Sequence, residues 1–271
     1  MPDSTFDLDN ENIDIHWGML DVNFKRLAGK GRFKTAHPGW VNLDATPELP
    51  PFTNQKVCVK QIYRQRTNGA IARVSGREEL SAFIEEFNCV RWASILLDMT
   101  YQFVAREIVE RGEPPRPIPE LRYTRAMVAI VQGDSEKAFI VEELIYSDDG
   151  EGEPQFRKYI DNRTPKSLLN IWDPAKAHDI AYFLLFSQHF QWQKTHVGAF
   201  VSDYQGASGL LTDPQITSNP YVLHMHASNR LSDIFWPLGF MATSLVRAIS
   251  EKPLPNFAQL TSATTFAISS A

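Results

Sequence analysis

The stretch Ser202 to Gln215, S-D-Y-Q-G-A-S-G-L-L-T-D-P-Q, holds two aspartates, Gln205 and two glycines. Asp203 and Asp213 lie ten residues apart, with Gln205 beside the first. Directly upstream, Val197-Gly198-Ala199-Phe200-Val201 is apolar and strand-like. Gly206 and Gly209 let the chain between the aspartates turn sharply. A strand that ends in Asp-x-Gln-Gly and returns to Thr-Asp-Pro can aim three oxygen ligands at one point. Hard oxygens of this kind suit Mg2+, which is commonly held by one or two carboxylates plus substrate phosphates. The plainer alternative is a polar hairpin whose aspartates only shape turns. A lone D-x-x-G does not separate the two readings.

Other elements must bring partners to such a hairpin. Val57-Cys58-Val59-Lys60-Gln61-Ile62-Tyr63 alternates and is rich in β-branched residues, so it reads as a strand. Lys60 stands at its centre, where an ammonium among apolar neighbours calls for an anion. Alternation alone also allows an outward, solvated lysine. Gly29 and Gly31, in R-L-A-G-K-G-R-F-K-T-A-H, suggest a hairpin whose turn approaches a ligand closely. Lys34 and Arg32 in that segment read as solvated charges, although either could touch phosphate.

Glu78 to Val109 has the clearest helical spacing, with Leu80, Phe83, Ile84, Phe87 and Val90 on one stripe. Gly112-Glu113-Pro114-Pro115 stops it. Met127–Val131 and Ala138–Val141 read as a hairpin around Gly133-Asp134-Ser135. Ala175 to Gln193 is a second helix. Asp148 to Gly152 is an acidic loop, and Pro47 to Pro51 a Pro-rich passage. Residues 1–24 are expected as a loose leader, with Trp17 and Met19-Leu20 anchoring it. Pro253 to Ala271 lacks periodicity, and its Ser, Thr and Ala content suggests fraying. The order of elements predicts an α+β protein of two lobes rather than a repeating βαβ sheet. The expected division is an N-lobe over 25–141 and a C-lobe over 142–271, with a hinge near Glu142 to Tyr146.

The full pattern T-H-V-G-A-F-V-S-D-Y-Q-G followed by L-T-D-P resembles the catalytic segment of the alpha-kinases, atypical Ser/Thr protein kinases, and is most similar to those abundant in fungi. The resemblance implies a two-lobed protein-kinase-like fold with a nucleotide cleft between the lobes. It implies ATP and Mg2+ as cofactors and a protein substrate as partner. V-C-V-K-Q-I-Y is similar to the family strand whose lysine contacts ATP phosphates, which assigns that part to Lys60. Gly31 matches the phosphate-covering loop. V-E-E-L-I is similar to the adenine hinge, implying Glu142, Glu143 and Leu144. F-R-K-Y-I-D-N is similar to F-x-K-Y-x-x-N, implying Lys158 and Asn162 near the reaction centre; for Asn162 a turn or helix-cap role stays open. Asp203 and Gln205 are implied as Mg2+ ligands, and Asp213 as the residue that orients or deprotonates the acceptor hydroxyl.

The match weakens toward the C-terminus. The family's zinc site takes one helix histidine, matched here by His189, and a later H-x-C-N-x-x-C that has no counterpart. No cysteine follows Cys89, and one histidine does not make a zinc site. His224 and His226 read as ordinary loop histidines, so no zinc is expected. Of the glycine-rich substrate loop only Asp233, Phe235 and Gly239 are matched, and Trp236-Pro237 stiffens it. A catalytically impaired, ATP-binding pseudokinase or scaffold is therefore the alternative to an active enzyme.

Composition narrows the field further. A chain of 271 residues, 43% hydrophobic, can bury a large core. A formal charge of -5 argues against a nucleic-acid partner. No apolar run reaches the ~20 residues of a membrane helix, and the acidic, polar N-terminus resembles neither a signal nor a transit peptide. Cys58 and Cys89 make no disulfide framework, which points to a reducing, intracellular and cytoplasmic setting.

Overall fold

The computed structural model of the chain describes residues 14–31, 33–43, 54–65, 71–74, 77–147, 154–196, 198–218 and 264–269, together with Phe52. Its elements in chain order are β1 (Asp14–Val22), β2 (Gly29–Lys30), β3 (Lys34–Leu43), β4 (Gln55–Gln65), β5 (Ile71–Arg73), α1 (Arg77–Arg111), β6 (Arg122–Tyr123), β7 (Ala126–Val131) and β8 (Asp134–Glu143). There follow β9 (Arg157–Lys158), α2 (Ala175–Lys194), β10 (Ala199–Ser202), β11 (Gln205–Ala207), β12 (Leu210–Thr212), β13 (Gln215–Ser218) and β14 (Thr264–Ser269). The class is α+β, with two compact units. One takes the described residues of Met1–Phe87, Arg125–Leu144 and Phe257–Ala271; the other takes those of Asn88–Thr124 and Ile145–Asn256.

The first unit is built on a sheet of order β2-β3-β1-β14-β7-β8-β4-β5, in which β3 also pairs with β4. That extra pairing curls the sheet and closes β3, β1, β14, β7, β8 and β4 into a ring. Because side chains alternate along a strand, one set points into the curl. Val41, Leu43, Val57, Val59, Met127, Ala129, Phe139 and Val141 form that cluster with Phe52. The other face of β7 and β8 is apolar as well. Val128 packs on Phe87, Leu80 and Ile84 of α1, while Ala138 and Ile140 meet Phe83 and Leu80. Burial on both faces explains why β7 reads A-M-V-A-I-V without polar alternation. The stripe Leu80, Phe83, Ile84, Phe87 is the face α1 gives to the sheet.

Two expectations are corrected at the termini. The stretch placed in a loose leader contains β1, which pairs with β3 and β14. Leu20 and Val22 pack on the cluster inside the curl while Trp17 and Met19 stay exposed, a period-2 pattern too short to stand out in sequence. The tail, whose order the sequence left open and whose composition pointed to fraying, contains β14, T-T-F-A-I-S, parallel to both β1 and β7. Parallel partners distant in sequence leave no hairpin signal. The Pro-rich passage at 47–51 and the acidic loop at 148–152 lie outside the described residues.

In the second unit α2 packs against the C-terminal part of α1. Val90, Ala93, Leu96 and Leu97 share a core with Ile180, Ala181, Phe183, Leu184, Val201, Tyr204 and Leu211. Tyr101 stacks on Phe183 and Phe103 on Phe190, with centroids 5.1 Å and 4.4 Å apart. Two small sheets complete the unit, β10-β13 and β6-β12-β11-β9. Among the described residues no helix is long and apolar enough to cross a membrane, a criterion that does not address strands.

Candidate active site

The aspartates flank a tight hairpin. β11 and β12 pair antiparallel, with Gln205 opposite Thr212 and Ala207 opposite Leu210. The two-residue connection has φ of 52° at Ser208 and 77° at Gly209, the left-handed pair a type I′ turn requires. Gly206 is set by space rather than angle: a Cβ there would fall 1.9 Å from the Leu210 carbonyl oxygen. Asp203 and Asp213 sit at either end with φ of 60° and 55°. Aspartate tolerates this region better than most residues. Outlying backbone at two residues singled out for chemistry fits the clustering of strain at functional sites.

Tyr204, between Asp203 and Gln205, is buried in the core of its unit. Its carbonyl accepts from the Tyr159 amide at 2.8 Å, tying the hairpin to the chain beside β9. Burial pushes the Tyr204 phenol up to about 12, against hydrogen bonds from Ser187 and Gln191. Tyr204 is turned inward, while Asp203 and Gln205 are engaged by Lys158 and Asp213. Gln205 Nε2 donates to Asp213 Oδ2 at 3.3 Å. Lys158, paired with Gln205 across β9 and β11, brings its Nζ to 2.6 Å from Asp203 Oδ1. Asp203 Oδ1 is enclosed, and the Lys158 ammonium is the group that meets it. Asn162 Nδ2 donates to Gln215 Oε1 at 2.8 Å. Beside it, amides of Thr164 and Arg163 hold the exposed Asp161 carboxyl below the usual carboxylate range. Asp203, Gln205, Asp213 and Lys158 are thus linked by direct contacts, and Asn162 reaches the same segment through Gln215.

Lys60 belongs to the first unit and is not a solvated lysine. Alternation along β4 sends Val57 and Val59 into the curl and puts Lys60 on the opposite face, with Ile62, which packs against Phe83 and Leu80 of α1. Its Nζ donates to Glu142 Oε1 at 2.7 Å, and both side chains are buried. Glu143, on the alternate face of β8, takes the Arg125 guanidinium at 2.8 and 3.0 Å and the Arg125 amide at 3.0 Å. The carboxylates of both hinge residues are therefore engaged by cations of their own unit. β8 runs through Glu143, and Leu144 lies just past its end. Gly31 sits between β2 and β3, its carbonyl accepting from the Tyr63 hydroxyl.

One acidic residue escaped the sequence reading. Glu86 on α1 takes Lys34 Nζ at 2.6 Å and stands 3.9 Å from Lys60 Nζ. Lys34 is accordingly a half-buried ion-pair partner, not the solvated charge expected. The pair Glu85-Glu86 looks like a solvent face in sequence. The available signal was the position of Glu86 between Phe83 and Phe87, beside the sheet-facing stripe.

Among the described residues no three His, Cys, Asp or Glu side chains gather as a metal-ligand set. A buried carboxylate beside a carboxamide is nevertheless a hard-oxygen set that fits Mg2+, a cation completed by phosphate and water rather than by an all-protein cage. His189 is exposed on α2. His224, His226, Asp233, Phe235 and Gly239 lie outside the described residues.

A curled sheet with a helix across its outer face, and a separate unit carrying an Asp-x-Gln-Gly hairpin, define a kinase-type protein. The alpha-kinase family model matches residues 29–230, and the chain belongs to that family. It is similar in structure to an Asp-to-Ala mutant of the myosin heavy chain kinase A catalytic domain, at 17% identity and a TM-score of 0.47, covering 74% of this chain and 75% of that one. The alpha-kinase domain of myosin-II heavy chain kinase A in complex with AMP-PNP gives 18% and 0.46, with 74% of each chain covered. The ADP complex of that domain gives 16% and 0.46, with 74% and 75% covered. Comparison with curated proteins gave no match.

Proposed function

We propose that the chain is an ATP- and Mg2+-dependent protein kinase that moves the γ-phosphoryl group of ATP to Ser or Thr hydroxyls of protein substrates. The observation that carries this reading is a pair of contacts at one hairpin, Lys158–Asp203 and Gln205–Asp213, which bring a buried carboxylate, a carboxamide and a second carboxylate to adjoining positions. Asp203 and Gln205 would hold the cation, which when bound neutralises charge on the phosphates. Gln205 turns its nitrogen to Asp213, so its oxygen is the metal-facing end. Lys158 holds the Asp203 carboxylate in place. Lys60 meets the phosphates, and Gly31 lies in the loop over them. With the carboxylates of Glu142 and Glu143 engaged, and the Glu143 amide donating to the Arg125 carbonyl, adenine recognition falls to Leu144 at the end of this hinge. Asn162, fixed on Gln215, supports the segment after Asp213. In the transfer the acceptor oxygen bonds to the γ-phosphorus, the bond to the ADP oxygen breaks, and Asp213 receives the hydroxyl proton.

A nucleotide-binding scaffold is the second reading. It is favoured by the internal partners of Lys60 and Asp203, each already neutralised within its own unit. Radiolabelled ATP with a basic protein substrate separates the two. The kinase reading expects phosphate incorporation that Asp213→Ala removes. Equal signal from both proteins rejects the mechanism. An ATP-dependent rise in melting temperature without incorporation supports the scaffold.

A further inference from the structure

Among the described residues β10 has one strand partner, β13, and it delivers the chain to Asp203 one residue past its end. Its register sets Ala199 opposite Ser218 and Val201 opposite Ile216. In an antiparallel pair, main-chain groups alternate between facing the partner and facing away. Those of Ala199 and Val201 face away, and both are met by side chains of α2 and its C-cap. Thr195 Oγ1 accepts from the Ala199 amide at 2.8 Å and donates to the Ala199 carbonyl at 2.9 Å. Gln191 Oε1 accepts from the Val201 amide at 2.9 Å, and Gln188 Nε2 donates to the Val201 carbonyl at 2.9 Å. Residues 188, 191 and 195 form one helical stripe at i, i+3 and i+7. All three are buried.

The stripe therefore does the work of a missing strand. A carboxamide carries the same donor and acceptor as a peptide group, and a hydroxyl can serve both roles. The helix takes two alternate residues of β10, and the second, Val201, lies two residues before Asp203, where the chain leaves the strand. The clip is itself anchored: Gln191 Nε2 donates to Ser187 Oγ at 2.8 Å, which is 3.1 Å from Thr100 Oγ1 on α1. Gln188 keeps its Oε1 buried without a donor, a cost an apolar side chain of that size would not carry. Plain core packing accounts for Ile180 and Leu184 earlier on the same helix, but not for a glutamine left half satisfied.

We infer that Gln188, Gln191 and Thr195 are positioning residues: by replacing the second edge of β10 they fix the direction in which Asp203 leaves the strand, and hence its carboxylate. This rests on the assignment of Asp203 as a metal ligand. Residues behind a ligand commonly change metal affinity about tenfold or more.

The test uses the full chain with Thr195→Val, which keeps shape and removes the hydroxyl, Thr195→Ser, which restores it, and Gln188→Leu. Mn2+ binding in the presence of AMP-PNP is read by electron paramagnetic resonance. AMP-PNP binding in chelator is read by calorimetry. The Val and Leu variants are expected to weaken Mn2+ about tenfold, with metal-free nucleotide affinity unchanged and Thr195→Ser at the wild-type value. Unchanged Mn2+ affinity overturns the inference, as does an equal fall in both affinities. If the wild-type chain binds no Mn2+–nucleotide at all, the kinase reading fails, and amide exchange over 198–204 decides the clip alone. Faster exchange in Thr195→Val and Gln188→Leu, but not in Thr195→Ser, supports it; unchanged exchange overturns it.

Discussion

Gln205 hands its side-chain amide to Asp213 across 3.3 Å, joining the first and last polar residues of one short hairpin. A carboxamide there leaves Asp213 as the single negative charge of that pair. Gln205→Glu would set two carboxylates against each other, and like charges at that range raise a carboxyl pKa. Asp213 would then lose its proton at higher pH. The acidic limb of the kcat/KM–pH profile is expected to move upward in Gln205→Glu. Asp213→Asn is expected to lower kcat by about a hundred- to ten-thousand-fold, the usual share of a general base. A Gln205→Glu profile that overlays the wild type would separate the two residues functionally.

Lys60 and Glu142 are buried together, which makes either one a liability alone. Removing one partner of a buried ion pair typically costs about 3–5 kcal/mol, whereas replacing both with apolar groups is often near neutral. Glu142→Leu is expected to destabilise the chain by an amount near that range in urea denaturation. Glu86, 3.9 Å from Lys60, takes up part of the exposed charge and pulls the value to the lower end. Lys60→Met with Glu142→Leu is expected to recover most of the loss, without nucleotide binding. Additive losses in the double variant would show that the two side chains do not act as a pair.

The hairpin separates two ways of needing glycine. Gly206→Ala forces a Cβ to within 1.9 Å of a main-chain oxygen, so β11 and β12 must part. Ser208 holds a φ of 52° with a side chain in place, and Ser208→Gly relieves that conformation. The first change is expected to abolish metal-dependent nucleotide binding. The second is expected to leave it intact, with stability altered by no more than about 1 kcal/mol. Melting curves with and without Mn2+–nucleotide read both.

Legibility followed the range of the interactions. α1, α2, β4 and the β7–β8 hairpin were readable because periodicity and turn residues are local. β14 was not, since its partners β1 and β7 are far away in sequence and parallel. Asp203, Gln205 and Asp213 were legible as a motif, and Lys60 as a strand lysine whose orientation alternation left open. What decided Lys60 was α1 covering its face of β4, a tertiary fact. Glu86 and the Gln188–Gln191–Thr195 stripe were hidden for a common reason: polar residues on amphipathic helices look solvated unless the element that covers them is known.

Glu79 gives a pH dependence with a definite sign. It is almost fully buried and gripped by Arg73 Nε and Nη2, each at 2.9 Å. Desolvation nevertheless dominates, and its carboxyl is raised above its ordinary 4.5, with the Arg73 hydrogen bonds opposing. A carboxyl that holds its proton more tightly folded than unfolded stabilises the fold fully below the unfolded value. That contribution is lost as pH rises through the higher folded value. Burial raises Glu85 in the same direction, so Glu79 supplies only part of the slope. Thermal unfolding of the full chain, measured from pH 4.5 upward, is expected to show a smaller loss of stability with pH in Glu79→Gln than in the wild type. The amide has no proton to release, and it retains an oxygen for Arg73. Equal slopes would mean that the Glu79 carboxyl is not shifted by folding, and a steeper loss in Glu79→Gln would mean that Arg73, not desolvation, controls it.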